Sequence, residues 1–234
     1  KENVEAVLLP SRFTSKESTE DALAVATNLD IDTIEVSIEK PFQSYLDILK
    51  ALFNGEPFDI TEENLQARVR GMLLMAISNK QGFLVLNTSN KSELAVGFTT
   101  LYGDSCGAIS VIGDLLKYQV YDLAGYLMKH GGSIPARVIQ KEPTAELRHN
   151  QKDTDTLPDY SILDVIVESY VVEEKSPEWI ATLLEVDLHF IEEMVRKIHA
   201  AKYKRRQCPF ALRVSEKAFS QGRHVPIVQH LELS

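Results

Sequence analysis

The chain has 234 residues, of which 44% are hydrophobic and 25% charged, as in an ordinary globular domain with a well-buried core. Its formal net charge of −9 at pH 7 argues against nucleic acid or an anionic membrane surface as its main partner. Cys106 and Cys208 are far apart in the sequence, which indicates a reducing compartment and neither a zinc site nor a disulfide framework. No apolar run is long enough to span a membrane and no signal peptide is recognisable, so we expect a cytoplasmic protein.

Strands and helices alternate through the first part of the chain. In chain order, the hydrophobic pattern predicts a strand at 4–9, a helix at 19–29, a strand at 33–38, a helix at 42–53, a long helix capped by Thr61 and a strand at 83–86. This alternation predicts an α/β fold, in which a doubly wound parallel sheet is flanked by helices.

The second part of the chain is predicted to be mainly helical. Helices are expected at 92–97, at 119–129, at 162–172, from Ser176 and Pro177, and from about 186 to 201. Residues 133–160 contain three prolines and many charges, a composition typical of a mobile lid or binding loop. The tail at 202–234 is expected to wrap the domain or a partner subunit.

Polar residues follow the apolar run at 83–86, at the point where a buried strand should end. Thr88, Ser89, Lys91 and Glu93 stand there, just before the predicted helix at 92–97. Ligands bind beyond the carboxyl ends of parallel strands, and helix N-termini attract anions. These side chains are therefore candidates for a nucleotide phosphate and its metal. On residue types alone, Glu93 serves more commonly as the partner of Asn90 in a helix cap.

Five sequence segments, in this order along the chain, carry a resemblance to one enzyme family. They are LPSRFTS (9–15), ENLQARVRG (63–71), NTSNKSELAVGFTTLYGD (87–104), KRRQ (204–207) and RVSEKAF (213–219). Together they resemble the NAD synthetases, which amidate deamido-NAD to NAD in the last step of NAD biosynthesis. The resemblance implies an adenine nucleotide alpha-hydrolase-like fold (N-type ATP pyrophosphatase) and a ligase that forms a carbon–nitrogen bond.

The resemblance also implies the reaction and its partners. The carboxylate of deamido-NAD attacks the α-phosphorus of ATP, and ammonia then displaces AMP from the acyl adenylate. ATP and Mg²⁺ are required, and the ammonia comes from solution or from a glutaminase domain. RVSEKAF and the following GRHVPIVQ (222–229) favour the longer, glutamine-using members. A homodimer with the substrate site at the subunit interface is expected.

Site residues are carried over position by position from the family pattern. ATP contacts are expected from the main chain of Leu8 and from Thr88, Lys117 and Thr144. Asp104 is expected near the reacting carboxylate, where it holds ammonium and accepts its proton. Glu93 matches the magnesium ligand, and a hard oxygen donor suits that ion. Deamido-NAD contacts are expected from Asn64, Arg68, Glu93, Phe98, Thr99, Thr100, Leu101 and Lys204.

Each of these residues also has a purely structural interpretation. Thr88 can be a turn residue, Lys117 an exposed residue at a helix start, and Phe98 part of the core. Lys204 can belong to a solvated helix end. Asn64 and Arg68 lie one turn apart on one helix face, and Arg68 needs a partner because its neighbours there are largely apolar.

One family motif has no counterpart in this sequence. The family begins its sheet with a strand and a Ser-Gly-Gly-x-Asp-Ser loop that wraps the ATP pyrophosphate, and Lys1 falls just after the position of that loop. We therefore expect residues 1–234 to be a synthetase domain that is incomplete at its N-terminus. We also expect this piece alone to make no NAD.

Two other functions compete with this interpretation. Another N-type ATP pyrophosphatase amidotransferase, similar to GMP synthetase, shares the fold logic but would not be expected to carry NKSELAVGF together with ENLQAR. Residues 176–199 resemble a helix-turn-helix, so a DNA-binding module is conceivable. The acidic residues in that segment count against DNA binding, and neither a nucleic-acid nor a membrane partner is expected.

Overall fold

The computed structural model describes residues 3–132 and 134–219. Within these ranges the strands are β1 (Glu5–Leu8), β2 (Asp32–Glu35), β3 (Leu86–Asn87), β4 (Ile109–Ser110) and β5 (Phe210–Ala211). The helices are α1 (Lys16–Leu29), α2 (Glu39–Phe53), α3 (Ile60–Gln81), α4 (Lys91–Val96), α5 (Lys117–Lys129), α6 (Ala136–Gln140), α7 (Tyr160–Val167), α8 (Pro177–Leu184), α9 (Leu188–Ala200) and α10 (Lys202–Arg205). A 3₁₀ turn lies at Asp153–Asp155, and a π-helical turn at Glu168–Val172 continues α7. None of the helices within these ranges is long and apolar enough to cross a membrane.

Every strand pair among these residues is parallel, as the alternation of strands and helices predicted. β1 pairs with β2, with Glu5 opposite Asp32. β4 lies between β3 and β5 in a second sheet. The described strands thus form two parallel sheets with helices around them, and a cavity of about 510 Å³ is lined by residues of both β1 and β3.

The strand predicted at 83–86 is wrong in its extent and in its burial. β3 contains only Leu86–Asn87, while Phe83 is 48% and Leu84 70% exposed. Within the described ranges β3 pairs on one edge only, with β4. An apolar run predicts burial on both faces only if the sheet continues on both sides.

Several helix boundaries follow from capping residues. α1 begins earlier than predicted because Ser15 caps it, accepting a hydrogen bond from the backbone N–H of Ser18 at 3.2 Å. α3 is capped by Asp59 and not by Thr61, and Glu62 completes the reciprocal capping box. The predicted start of α8 at Ser176 and Pro177 is confirmed.

The main hydrophobic core lies among the later helices. Leu163, Ile166, Ile180, Ile191 and Ile198, from α7, α8 and α9, are fully buried against one another and against α4. Each buried side chain of this size contributes about 1.5–3 kcal/mol relative to an exposed one. This packing fixes α4, whose N-terminus carries the polar residues after β3.

Lys91 is buried rather than directed at a ligand, which corrects the sequence-based expectation. Its ammonium donates to Asp114 Oδ1 at 2.9 Å, to Ser215 Oγ at 2.7 Å and to the carbonyl of Lys217 at 2.9 Å. Asp114 Oδ2 accepts the backbone N–H groups of Val214 and Ser215 at 2.8 and 2.7 Å. The ion pair therefore joins the start of α4, the loop before α5 and the segment after β5. Beyond residue 219 the predicted tail lies outside the described residues, as does GRHVPIVQ.

Replacing Asp114 with Asn is expected to destabilise the fold by about 3–5 kcal/mol, because the buried ammonium of Lys91 loses its counter-charge. Both side chains of the pair are at most 1% exposed, so water cannot compensate. Urea unfolding measures the change. Glu39→Gln, which breaks the exposed Arg12–Glu39 pair, is the control and should change stability by less than about 1 kcal/mol. Equal effects of the two variants would contradict a special role for burial.

Candidate active site

A cavity of about 410 Å³ lies beside the residues that follow β3. Thr88 and Ser89 come from the end of that strand, Glu93 from the first turn of α4, and Lys117 from the first residue of α5. The rest of the lining comes mainly from residues 138–153. Three chain segments thus meet beyond the carboxyl end of β3, where α/β folds hold ligands.

The structure brings together most of the residues predicted for ATP, the metal and catalysis. Five of them, together with Phe98, which was predicted for deamido-NAD, line the 410 Å³ cavity: Thr88, Glu93, Asp104, Lys117 and Thr144. Leu8 lines the adjoining 510 Å³ cavity, which shares Thr88 and Asp104 with the first. The two cavities are therefore neighbours with a common wall.

Glu93 forms the helix cap considered from the sequence, while its role as a metal ligand stays a prediction. It forms the capping box of α4 with Asn90: its backbone N–H donates to Asn90 Oδ1 at 3.0 Å, and its Oε2 accepts the Asn90 N–H at 3.4 Å. Its other oxygen, Oε1, accepts from the ammonium of Lys117 at 3.0 Å. The cap fixes the side chain while Oε1 stays at the cavity, so capping and ligand binding do not exclude each other.

Asp104 is held at the wall between the two cavities. Its Oδ1 accepts from the Thr99 hydroxyl at 2.7 Å and from the Thr100 backbone N–H at 2.6 Å. Burial raises the pKa of the Asp104 carboxyl, against the two hydrogen bonds, which lower it. A carboxylate poised in this way can accept a proton from an amine in the cavity.

The remaining predicted substrate residues surround the turn at 97–104 but line neither cavity. The Thr100 hydroxyl donates to Asn64 Oδ1 at 2.6 Å. Arg68 donates through Nε to the carbonyl of Leu101 at 3.2 Å, which gives Arg68 the partner that its apolar neighbours required. These contacts fix the turn that carries Phe98 and Asp104. Their assignment to deamido-NAD remains a prediction.

Lys204 supports the same turn from α10. Its ammonium donates to the carbonyls of Gly97 and Thr99, both at 2.8 Å, and burial lowers its pKa. Gly97 has φ +73° and its Cα lies against Ala201, so a side chain there would strain the backbone and clash with α10. Lys204 thus holds the turn at 97–104 in place beside the cavity.

The segment predicted as a lid is packed against α1 in this structure. Lys141 donates to Ser15 Oγ at 3.1 Å, to Glu146 Oε1 at 2.8 Å and to Ser18 Oγ. Glu146 also accepts from the hydroxyls of Ser15 and Ser18 at 2.8 and 2.7 Å. This cluster joins the segment that carries Thr144 to α1 beside the cavity.

Two residues of this wall escaped the sequence analysis. Asp153 lines the cavity and is buried, and its Oδ2 accepts from the Tyr160 hydroxyl at 2.9 Å. The Lys117 ammonium lies 4.8 Å above the centre of the Tyr160 ring. Burial raises the pKa of Tyr160 well above its usual range, so its hydroxyl stays protonated. No periodicity or motif in the sequence marks either residue; only the fold shows that they face Glu93.

Comparison with known proteins assigns the family. A family model described as NAD synthase matches residues 1–208. The chain belongs to the NAD synthase family. This membership favours the synthetase interpretation over the GMP-synthetase-like and DNA-binding alternatives.

Individual relatives agree with this family assignment. The glutamine-dependent NAD(+) synthetase of Thermotoga maritima is 46% identical over 241 residues, covering 99% of this chain and 40% of the relative. The solved glutamine-dependent NAD+ synthetase from Acinetobacter baumannii, in complex with ADP, is 39% identical with a TM-score of 0.58, and the match covers 97% of this chain and 40% of that one. The NMN synthetase from Francisella tularensis is 28% identical with a TM-score of 0.63, covering 76% of this chain and 71% of that one.

These comparisons confirm the predicted fold class for this NAD synthase family chain. The chain spans about 40% of the length of the glutamine-dependent relatives it matches. What those longer proteins do is therefore carried over to this chain only as a proposal.

The raised pKa of Asp104 predicts a pH-dependent difference in stability. Between the ordinary aspartate pKa of about 3.9 and the raised value, the folded protein binds more protons than the unfolded chain, so its free energy of unfolding falls as pH rises. Asp104→Asn keeps the acceptor for Thr99 and Thr100 but cannot ionise. We expect this variant to gain stability relative to the unmodified protein as pH rises from about 4 to 7, measured by chemical denaturation.

Asp155→Asn is the matched control for that experiment. A hydrogen bond from the Lys152 backbone lowers the pKa of the exposed Asp155 carboxyl, so the stability that this group contributes is lost mainly as pH falls below the ordinary aspartate pKa of about 3.9. Between about pH 4 and 7 this variant should therefore show little change in stability relative to the unmodified protein. The same slope for both variants would contradict the assigned environment of Asp104.

Proposed function

We propose that this chain carries the synthetase activity of a NAD synthetase: the ATP-dependent amidation of deamido-NAD to NAD, with release of AMP and pyrophosphate. The observation that supports this most directly is the lining of the 410 Å³ cavity. It unites Thr88, Glu93, Lys117, Thr144 and Asp104 from distant parts of the chain. These are the family positions for the nucleotide, its metal and the reacting carboxylate.

The first step is adenylation. An oxygen of the deamido-NAD carboxylate attacks the α-phosphorus of ATP, and the bond from that phosphorus to the bridging oxygen breaks, so that pyrophosphate leaves. Lys117 and Thr88 are placed to bind the phosphates, with the ammonium of Lys117 opposing the negative charge that develops on the leaving group. Leu8, at the end of β1 in the adjoining cavity, is placed to hold the adenine through its main chain.

The donor set at this wall fits magnesium. The oxygens of Thr88, Ser89 and Glu93 line the cavity, and Mg²⁺ is commonly held by one or two carboxylates together with substrate phosphates. No cluster of three or more His, Cys, Asp or Glu side chains suited to a metal occurs in residues 3–132 and 134–219. A magnesium site built mainly from substrate phosphates does not require such a cluster. When bound there, the ion neutralises phosphate charge; Glu93 is the proposed ligand.

The second step transfers nitrogen. Ammonia attacks the acyl carbon of the adenylate, AMP leaves with the bonding electron pair, and the nitrogen loses a proton. Asp104 is positioned to hold ammonium and to take that proton. The adenylate must be shielded from water, and the segment that Lys141 and Glu146 join to Ser15 and Ser18 is the proposed shield.

Three further properties belong to the same proposal. The nitrogen derives from glutamine, in line with the names of the longer relatives. The protein is a homodimer, for which exposed apolar residues such as Ile48 and Leu52 on α2 and Ile60 on α3 offer a contact surface. It acts in the cytoplasm, in agreement with the free thiols of Cys106 and Cys208.

The test is an assay of the complete gene product with deamido-NAD, ATP, Mg²⁺ and either ammonium or glutamine. We expect NAD, AMP and pyrophosphate in equal amounts. Nicotinic acid mononucleotide is included because an NMN synthetase is among the similar structures, and xanthosine monophosphate tests the GMP-synthetase-like alternative. A higher kcat/KM for either of these than for deamido-NAD would overturn the proposal.

Glu93→Gln is expected to lower kcat on the order of a hundredfold or more, because the cavity loses a charged oxygen ligand that acts on the transition state. The amide can still accept the Asn90 N–H, so α4 should stay folded. The matched control is Glu62→Gln, which alters the equivalent capping-box residue of α3 away from the cavity and should leave kcat unchanged. Near-normal turnover of the Glu93 variant would reduce that residue to a helix cap.

Lys204→Met and Arg68→Met are each expected to raise the KM for deamido-NAD more than the KM for ATP. Both residues hold the turn at 97–104 through hydrogen bonds from charged donors, which contribute about 1.5–3 kcal/mol each. This corresponds to a tenfold or greater rise in the KM of the substrate that binds beside the turn. Steady-state kinetics with each substrate varied in turn measures both constants. Arg206→Gln, which changes an exposed residue directly after α10, is the control. A larger effect on ATP would mean that both residues are misassigned.

A further inference from the structure

Asp153 is a buried residue with a carboxylate side chain. It belongs to the segment at 138–153, which lines the 410 Å³ cavity. Its side chain is 6% exposed, and the 3₁₀ turn at Asp153–Asp155 fixes its backbone. The Asp153 N–H donates to the Pro143 carbonyl at 3.2 Å, and its own carbonyl accepts from Leu157 at 2.9 Å. The backbone of Asp153 is therefore held in place beside the cavity.

The two oxygens of this carboxylate have different environments. Oδ2 accepts from the Tyr160 hydroxyl at 2.9 Å, whereas Oδ1 is buried and accepts no hydrogen bond from the residues that the structure describes. A buried polar atom without a partner typically costs about 1–3 kcal/mol, and more if it is charged. Such atoms are rare in folded proteins and point to a role in function.

The surroundings of Asp153 are arranged for a cation. The Tyr160 hydroxyl also lies 3.5 Å from Glu93 Oε1, so Glu93 and Asp153 flank the same hydroxyl and line the same cavity. Among the residues that the structure describes, Lys117 is the cation that pairs with Glu93, at 3.0 Å. Once the ammonium of Lys117 turns to an ATP phosphate, two carboxylates face one another, and a divalent cation between them satisfies both.

We propose that Asp153 is a second carboxylate ligand of the magnesium ion that accompanies ATP, facing Glu93 across the Tyr160 hydroxyl. This inference rests on the proposed function. Asp153 belongs to the segment at 138–153, which packs against α1, whereas Glu93 belongs to α4. An ion shared by both carboxylates therefore links that segment to the nucleotide site. Metal and nucleotide then bind together more tightly than the nucleotide alone.

The competing explanation is that Asp153 only orients Tyr160. Tyr160→Phe separates the two, because it removes the hydroxyl and leaves both carboxylates. Asp155→Asn is the matched control: it lies two residues away on the same turn, is exposed, and pairs with Arg148 at 2.7 Å. Asp153→Asn is isosteric, and Asp153→Ser provides a second comparison that does not depend on the stability of the first.

The experiment compares ATP binding to the complete gene product by calorimetry, in EDTA and in Mn²⁺, for each variant. Even residues that merely orient a metal ligand change metal affinity by about 10- to 100-fold, so the Asp153 variants should lose at least about tenfold of the tightening that Mn²⁺ gives. Their affinity for ATP in EDTA should stay within about threefold of the unmodified protein, since the metal ligand is not engaged there. Asp155→Asn should keep the full tightening, and Tyr160→Phe, which removes only a hydrogen bond to the carboxylates, should lose less of it than the Asp153 variants.

Three outcomes would overturn the proposal, and they are distinguishable. If the unmodified protein makes NAD but the Asp153 variants keep the full effect of Mn²⁺, the ligand assignment alone is wrong. If Tyr160→Phe loses as much of the effect as Asp153→Asn, Asp153 is a positioning residue. If the unmodified protein makes no NAD from deamido-NAD, the proposed function fails and this inference with it. Unfolding midpoints without ligand confirm that each variant is folded.

Discussion

The buried ion pair between Lys91 and Asp114 fixes the parts of the chain that build the cavity. It joins the first residue of α4 to the loop that leads into α5, and through Ser215 and Lys217 it ties both to the segment after β5. Glu93 lies two residues after Lys91, and Lys117 three residues after Asp114, so the pair sets the distance between them. A charge buried so deeply tolerates few alternative arrangements, because any shift leaves it without a counter-charge.

A second polar layer strengthens the same junction from the other side. Asp164 of α7 accepts from the Ser92 hydroxyl and, at 2.8 Å, from the backbone N–H of Tyr118, while the Lys117 N–H donates to Ser92 Oγ at 3.0 Å. The first turns of α4 and α5 are thus held by α7, whose opposite face belongs to the hydrophobic core. The cavity therefore lies between this hydrogen-bonded junction and the separate segment at 138–153.

The sequence predicted the alternation of elements, the family and most of the cavity wall, because these depend on local pattern and on motifs. Thr88, Glu93 and Lys117 were predicted together and lie together. Lys91 was misjudged because its partner lies 23 residues away and its other contacts lie more than a hundred residues away. A polar residue after a strand is equally compatible with a ligand and with a buried pair until those segments are in place.

The extent of β3 was predicted wrongly, and Asp153 was overlooked, for a related reason. Exposure of Leu84 depends on which strands flank β3, and a single apolar run carries no information about its neighbours. Asp153 stands in a polar segment whose turns are set by contacts with Pro143 and Leu157, without helical or strand periodicity. The extent of β3 and the position of Asp153 both depend on contacts between segments that are distant in the sequence, which local patterns do not encode.

The contact between Lys117 and Glu93 has a consequence for ligand discrimination. The two groups neutralise each other at 3.0 Å, so a ligand that engages one of them must separate the pair. A free nucleotide satisfies the ammonium but leaves the carboxylate facing phosphate, and a free cation does the reverse. Only a ligand that brings both signs of charge satisfies both partners at once. Under the proposed function, the Lys117–Glu93 pair therefore favours a complex of nucleotide and cation over either ligand alone.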